Sequence, residues 1–95
     1  MAEIKIIWSE GALKDIEEII SFISKDSTQY ATRFASKIIY SIEILKTFPE
    51  IGRIVPEYDD TNLREIIYRN YRIVYRTSEG IAEIVTIFQG SKQLE

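Results

Sequence analysis

Residues 61–76 limit the possible folds more than any other segment of this 95-residue chain. Runs rich in β-branched and aromatic residues lie on both sides of Arg69-Asn70, and such runs are typical of β-strands. Asparagine tolerates a positive φ, so this pair is suited to a two-residue turn. The segment therefore predicts a β-hairpin in which Tyr68 lies opposite Tyr71 and the pairing continues outward from there.

The two faces of this hairpin are predicted to meet different surroundings. The first is the more aromatic and should pack against helices; its cross-strand pairs are Tyr68 and Tyr71, Ile66 and Ile73, and Arg64 and Tyr75. The second carries two cations and one anion and should face water or a partner; it contains Leu63, Glu65, Ile67, Arg72, Val74 and Arg76. A register error of one residue would exchange the two faces.

Two amphipathic helices are predicted before the hairpin. The first is capped by Ser9, ends near Ser24 and carries an apolar stripe of Leu13, Ile16, Ile20 and Ile23. The second is capped by Ser27 or Thr28 and stops before Pro49, because the residue before a proline is pushed out of the helical region. Its stripe is Ala31, Phe34, Ile38, Ile42 and Leu45. The short break between the two predicts an antiparallel helical hairpin.

The remaining segments complete an α+β fold. A first strand is predicted at residues 3–8, and further strands at 63–68, 71–77 and 82–88. Residues 48–60 contain both prolines and read as a loop, which we expect to be tethered to the core by Phe48, Ile51, Ile54 and Val55. The expected architecture is an N-terminal strand that joins the sheet, an α-helical hairpin, and a three-stranded antiparallel meander, in a single domain over residues 1–95.

Composition excludes several kinds of function. The chain has no cysteine and no histidine, so thiol chemistry and the usual general acid–base group are absent. Two pairs of carboxylates are predicted to lie on a solvent-exposed helix face (Glu17-Glu18) and in a loop (Asp59-Asp60). We therefore expect no metal and no cofactor. No segment predicts a membrane span, and we expect a cytoplasmic protein.

The charges are segregated along the chain. Its formal net charge is −3, yet four of its six arginines lie within residues 61–76, beside one acidic residue. An acidic chain is a poor non-specific binder of nucleic acid. A local excess of cations instead indicates where an acidic or polyanionic partner would touch the protein.

Three segments resemble the ParE/RelE superfamily of bacterial and archaeal toxins. Trp8–Ile16 is similar to the passage from strand to helix in that family, and Phe48–Glu57 is similar to the ParE loop. Leu63-Arg64-Glu65, followed by Tyr71–Arg76, is similar to the family's hairpin. The resemblance covers nearly the whole chain and is closer to ParE. It implies the toxin of a type II toxin–antitoxin module, of the kind associated with plasmid stabilization, held inactive in a hetero-oligomer with a cognate antitoxin.

The resemblance implies two alternative targets. ParE-type toxins bind and inhibit DNA gyrase and are not known as enzymes. RelE-type toxins are ribosome-dependent endoribonucleases that cut mRNA. For a binding function, the candidate contacts are Arg53, Arg64, Arg72, Arg76 and Lys92. For a nuclease, the candidate catalytic residues are Arg72, Glu65 and Arg76. A third possibility is a degenerate toxin that serves only as an antitoxin-binding module.

The requirements of RNA cleavage favour the gyrase alternative. Attack by a 2′-hydroxyl needs a base, and the leaving oxygen needs an acid. Several RelE-type relatives use a histidine near the end of the last strand, where this chain has Gln89.

Structural roles are an open alternative for the arginines. Arg64 is expected to stack on Tyr75 and to pair with an acid of the first helix, Glu17 or Glu18. Arg72 and Arg76 are expected either to neutralise Glu65 or to act on a target.

Overall fold

The computed structural model describes residues 3–90, which form two helices and a five-stranded sheet. The strand order is β1-β5-β4-β3-β2; β1 is parallel to β5 and the other neighbours are antiparallel. This confirms the predicted α+β class and adds one short strand that the sequence did not predict. The elements are β1 (Lys5–Trp8), α1 (Glu10–Ser24), α2 (Thr28–Glu43) with a 3-10 turn at Ile44–Lys46, β2 (Arg53–Ile54), β3 (Leu63–Tyr68), β4 (Tyr71–Ser78) and β5 (Ile81–Gln89).

Both helices begin at serine caps. The Ser9 hydroxyl oxygen accepts a hydrogen bond from the Ala12 N–H at 3.0 Å, and that of Ser27 accepts one from the Tyr30 N–H at 3.0 Å. The predicted stripe of α2 is buried throughout. In α1 the prediction for Leu13 is wrong, because its side chain is exposed and the neighbouring Ala12 is buried instead.

The aromatic face of the hairpin packs on the helices as predicted. All three predicted cross-strand pairs are present. The Phe34 ring of α2 meets the rings of Tyr68 and Tyr71 at centroid distances of 5.7 and 5.1 Å in edge-on geometry, which suits the aromatic quadrupole. The turn differs in one detail, because Arg69 and not Asn70 has the positive φ, at 54°. The Arg69 guanidinium lies over the Tyr68 ring, 5.6 Å from its centroid.

A β-bulge in β5 fixes the position of α1. Val85 and Thr86 together lie opposite one residue of β4. Backbone N–H and C=O groups at the bulge are therefore left without partners on the neighbouring strand. Side chains of the α1 segment bond to these groups: the Ser9 hydroxyl donates to the Val85 carbonyl oxygen at 2.9 Å, and the Asp15 carboxylate accepts from the Ile87 N–H at 3.0 Å and from the Thr86 hydroxyl at 2.7 Å. The helix is therefore docked on the sheet by polar bonds as well as by its apolar stripe.

Much of the second face of the hairpin is covered by the chain itself, which corrects the prediction that it faces water or a partner; Ile67 and Arg76 remain exposed on it. Val55 lies on this face and packs with Leu63 and Val74 to form a second, smaller core. The cover follows from β2, because its pairing with β3 and the bond from the Val55 N–H to the Leu63 carbonyl oxygen draw residues 53–60 across the sheet. The tether at Val55 is confirmed; those at Phe48, Ile51 and Ile54 are wrong, since these side chains are exposed.

The start of this covering segment is held by a buried tyrosine. The Tyr75 hydroxyl donates to the Pro49 carbonyl oxygen at 2.8 Å and accepts from the Gly52 N–H at 3.0 Å. Burial raises the pKa of the Tyr75 phenol, and the Gly52 N–H and the Arg64 charge oppose that rise. A Cβ atom at Gly52 would lie 2.7 Å from the Glu65 carbonyl oxygen and 2.8 Å from the Tyr75 ring. Only glycine therefore fits this close approach.

We predict that Gly52→Ala destabilises the protein by about 2 kcal/mol, because backbone and ring must both move to admit one methyl group. Gly11→Ala is the matched control, since its Cβ would meet no atom nearer than 3.8 Å. Urea unfolding of the two variants measures the difference. Equal stability of Gly52→Ala and the parent chain would contradict this packing.

Candidate functional site

Four side chains of alternating charge are joined across the second face of the hairpin; we call them the charge ladder. Glu65 of β3 is its centre: one carboxylate oxygen accepts from the Arg53 Nε at 2.6 Å, and the other accepts from the Arg72 Nε. Both terminal nitrogens of Arg72 then donate to the two carboxylate oxygens of Glu57, each at 2.7 Å. The order along the ladder is Arg53, Glu65, Arg72 and Glu57.

The interior of the ladder is buried and its ends are reachable. The Glu65 side chain has no exposed surface and that of Arg72 is 7% exposed, whereas Arg53 is 60% and Glu57 25% exposed. A buried ion is costly unless it is paired and hydrogen-bonded, and each interior ion here has two partners. Bonding to Glu57, and after it to Glu65, raises the pKa of Arg72 against the opposing effect of burial, so its charge is permanent.

The aromatic ring of Phe88 also positions Arg72. The guanidinium carbon lies 5.2 Å from the ring centroid, a distance at which a cation is attracted to the face of an aromatic ring. With its Nε held by Glu65 and its plane against a ring, Arg72 has a fixed position, and only its two terminal nitrogens point toward the covering segment.

A second ion pair joins the covering segment to the sheet. Arg76 donates to the Asp60 carboxylate at 2.9 Å, and both side chains are substantially exposed. The Asn62 N–H also donates to this carboxylate and, together with Arg76, lowers the pKa of Asp60. The expectation that Arg76 neutralises Glu65 is therefore wrong, because its partner is Asp60.

Arg64 lies apart from the charge ladder. It is opposite Tyr75 as predicted, but its terminal nitrogen donates to the main-chain oxygens of Gly52 at 2.9 Å and Glu50 at 3.3 Å. The expected pairing with an acid of α1 is wrong, because the loop before β2 supplies these two acceptors within the reach of Arg64. Lys92 lies outside the described residues.

The three residues considered for a nuclease share one face of the sheet. Glu65 and Arg72 bond to each other in a buried pair, and Arg76 belongs to the separate surface pair with Asp60. Both oxygens of Glu65 accept hydrogen bonds from cations, and the Arg72 fork is filled by a carboxylate. In this arrangement Glu65 and Arg72 bind each other, and Arg76 binds Asp60.

An apolar groove lies beside β3 at the edge of the sheet; we call it the edge groove. It has a volume of about 330 Å³ and is lined by Ile44, Ile51, Ile66 and Ile67, with Arg53 at its rim. The strand β2 is two residues long. In the described chain, the side of β3 that faces away from β4 therefore has no strand neighbour at residues 66–68. Two sequence signals for this surface are Ile44, which lies beside the main apolar stripe of the second helix, and Ile67, an isoleucine on the polar face of the hairpin.

Residues 3–90 contain neither a metal-binding cluster nor a membrane-spanning helix. No group of three or more histidine, cysteine or acidic residues there is arranged to hold a metal ion. Neither described helix has the length and apolar character to cross a membrane.

Two curated relatives and two solved structures are similar to this chain. The Sinorhizobium fredii protein Y4kP is 30% identical over 98% of this chain and 95% of its own length. Toxin RelE2 of Caulobacter vibrioides is 30% identical over 87% and 91%. Of the structures, the chromosomal ParDE system of P. aeruginosa matches at 16% identity with a TM-score of 0.74, covering 92% of this chain and 96% of the other. The RelBE2 complex of Mycobacterium tuberculosis matches at 13% identity with a TM-score of 0.62, covering 94% and 93%.

The structural matches establish the fold, and the sequence matches establish the family. The model for the ParE toxin of type II toxin–antitoxin systems (parDE) matches residues 6–94, which is nearly the whole chain. The chain therefore belongs to the ParE toxin family of type II toxin–antitoxin systems.

Proposed function

We propose that this toxin acts by binding and inhibiting DNA gyrase, and that a cognate antitoxin neutralises it. The observation that carries the proposal is the state of Arg72, whose guanidinium is buried and bonded to both Glu65 and Glu57. A residue held in this way contributes to the shape of a binding surface. Gyrase is an intracellular enzyme, so we place the toxin in the cytoplasm.

The chemistry of RNA cleavage supports the same choice. A general base must have an oxygen or nitrogen free to take a proton from the attacking hydroxyl. Both oxygens of Glu65 are engaged by arginines, the chain has no histidine, and the amide of Gln89 cannot titrate.

Two arginines, one at the end of the charge ladder and one beside it, are the strongest candidates for contact with the target. The side chains of Arg53 and Arg76 are more than 45% exposed, and arginine is enriched in the energetically important parts of interfaces. Arg64 and Arg72 are bonded within the chain and are proposed to support the surface. Lys92 remains a candidate from the sequence alone.

A RelE-like, ribosome-dependent endoribonuclease is the second candidate. It is favoured by the 30% identity with the protein named Toxin RelE2. The third candidate, a degenerate toxin that only binds an antitoxin, predicts no growth arrest at all.

We predict that the purified toxin inhibits supercoiling by DNA gyrase, and that it leaves translated mRNA intact in primer extension. Arg53→Ala with Arg76→Ala should weaken inhibition at least about tenfold, because two exposed cations are removed from the proposed contact surface. Arg33→Ala is the matched control, because Arg33 is an exposed arginine on α2.

Each result separates the candidates. Codon-dependent cleavage of mRNA without an effect on gyrase would replace the proposal with the nuclease. Absence of growth arrest when the toxin is induced without antitoxin would leave only the binding module.

The edge groove is the proposed docking surface for the antitoxin. An unpaired strand edge offers main-chain hydrogen bonds to an extended chain. Ile51 and Ile67, which line the groove, are exposed, and such a chain would remove them from water. The complex is expected to be a toxin–antitoxin hetero-oligomer, which is the assembly implied by the family.

We predict that the antitoxin raises the thermal midpoint of the toxin, and that Ile67→Lys weakens their binding by at least about tenfold through a buried, unpaired ammonium group. Ile7→Lys is the matched control: Ile7 is 40% exposed against 49% for Ile67, and its strand, β1, lies at the opposite edge of the sheet. Calorimetric titration measures the affinity of the antitoxin for both variants. Equal affinity of the two variants would exclude the edge groove as the antitoxin site.

A further inference from the structure

Residues 56–61 form a strap over the second face of the hairpin, and ion pairs fasten it. Val55 at one end and Leu63 beyond the other are buried. Between them, the strap reaches the sheet through the pairs of Glu57 with Arg72 and of Asp60 with Arg76. Beneath it, a recess of about 380 Å³ is lined by Tyr58, Leu63, Val74 and Val85, among others. Val55 and Leu63 thus anchor the chain in the core on either side of the strap.

The Arg72 fork is positioned by groups other than Glu57. Glu65 holds its Nε and Phe88 lies against its guanidinium plane, and both belong to strands of the sheet. A guanidinium fixed in this way presents two parallel N–H donors in the geometry that binds a planar carboxylate. Glu57 occupies this position with both oxygens at 2.7 Å.

The charge balance of the ladder sets the class of ligand. Arg53 and Arg72 are balanced by Glu65 and Glu57. Without Glu57, one positive charge remains, and a single carboxylate restores neutrality. A dianionic group would leave one negative charge in excess beside the buried Glu65, which is unfavourable where charges are poorly solvated.

We propose that Arg72 is a receptor for one carboxylate, that Glu57 fills it in the free chain, and that an acidic side chain of a protein partner can take the place of Glu57. The partner would be an acidic peptide segment, which would displace the strap and gain access to the apolar recess beneath it. This inference concerns a site different from the edge groove and holds whether or not gyrase is the target.

The first test is rescue of Glu57→Ala by a small carboxylate. The variant should lose about 5 °C in thermal midpoint, and sodium acetate should return a substantial part of that loss in a saturable manner. Sodium chloride and sodium sulfate at the same ionic strength should not, once the response of the parent chain to each salt is subtracted. Equal rescue by chloride, or greater rescue by sulfate, would overturn the proposal.

The second test measures the exchange with a peptide. A hexaglutamate peptide should bind Glu57→Ala at least about tenfold more tightly than the parent chain, because it no longer competes with an internal carboxylate. Asp60→Ala is the matched control, since it removes the same charge from the strap but leaves the Arg72 fork occupied. Equal affinity of the peptide for Glu57→Ala and Asp60→Ala would reduce the effect to net charge and overturn the proposal.

Discussion

The outer layer of this toxin depends on one buried carboxylate. Glu65 has no exposed side-chain surface, and it joins Arg53 of the covering segment to Arg72 of β4. Removing a charge from water costs several kcal/mol, and only good pairing geometry offsets that cost. The position of the covering segment is therefore tied to the pairing of Glu65 with Arg53 and Arg72.

This arrangement changes the meaning of a cluster of arginines. In the sequence, four arginines within residues 61–76 suggest a cationic surface for a polyanion. In the structure, carboxylates of the same chain neutralise Arg72 and Arg76. What remains is a surface of neutralised cations, rim charges and exposed isoleucines, which is the character of a protein-binding face.

The sequence predicted those elements whose pattern is local. The hairpin register followed from a two-residue turn at Arg69-Asn70, and the stripe of α2 followed from helical periodicity. The cover of the second face could not be predicted in this way, because Val55 and Glu57 lie in a loop that contains both prolines and has no period. Their contacts with Val74 and Arg72 join residues 15 or more positions apart, a separation beyond the reach of local patterns.

The central claim is that the ion pairs of Glu65 with Arg53 and Arg72 hold the covering segment on the sheet. Its most direct test is the free energy of unfolding of Glu65→Gln, a substitution that keeps the shape of the side chain and removes its charge. We predict a loss of about 3 kcal/mol, because the buried guanidinium of Arg72 would keep only one of its two carboxylate partners. A loss below about 0.5 kcal/mol, the range of an ordinary surface substitution, would contradict the account.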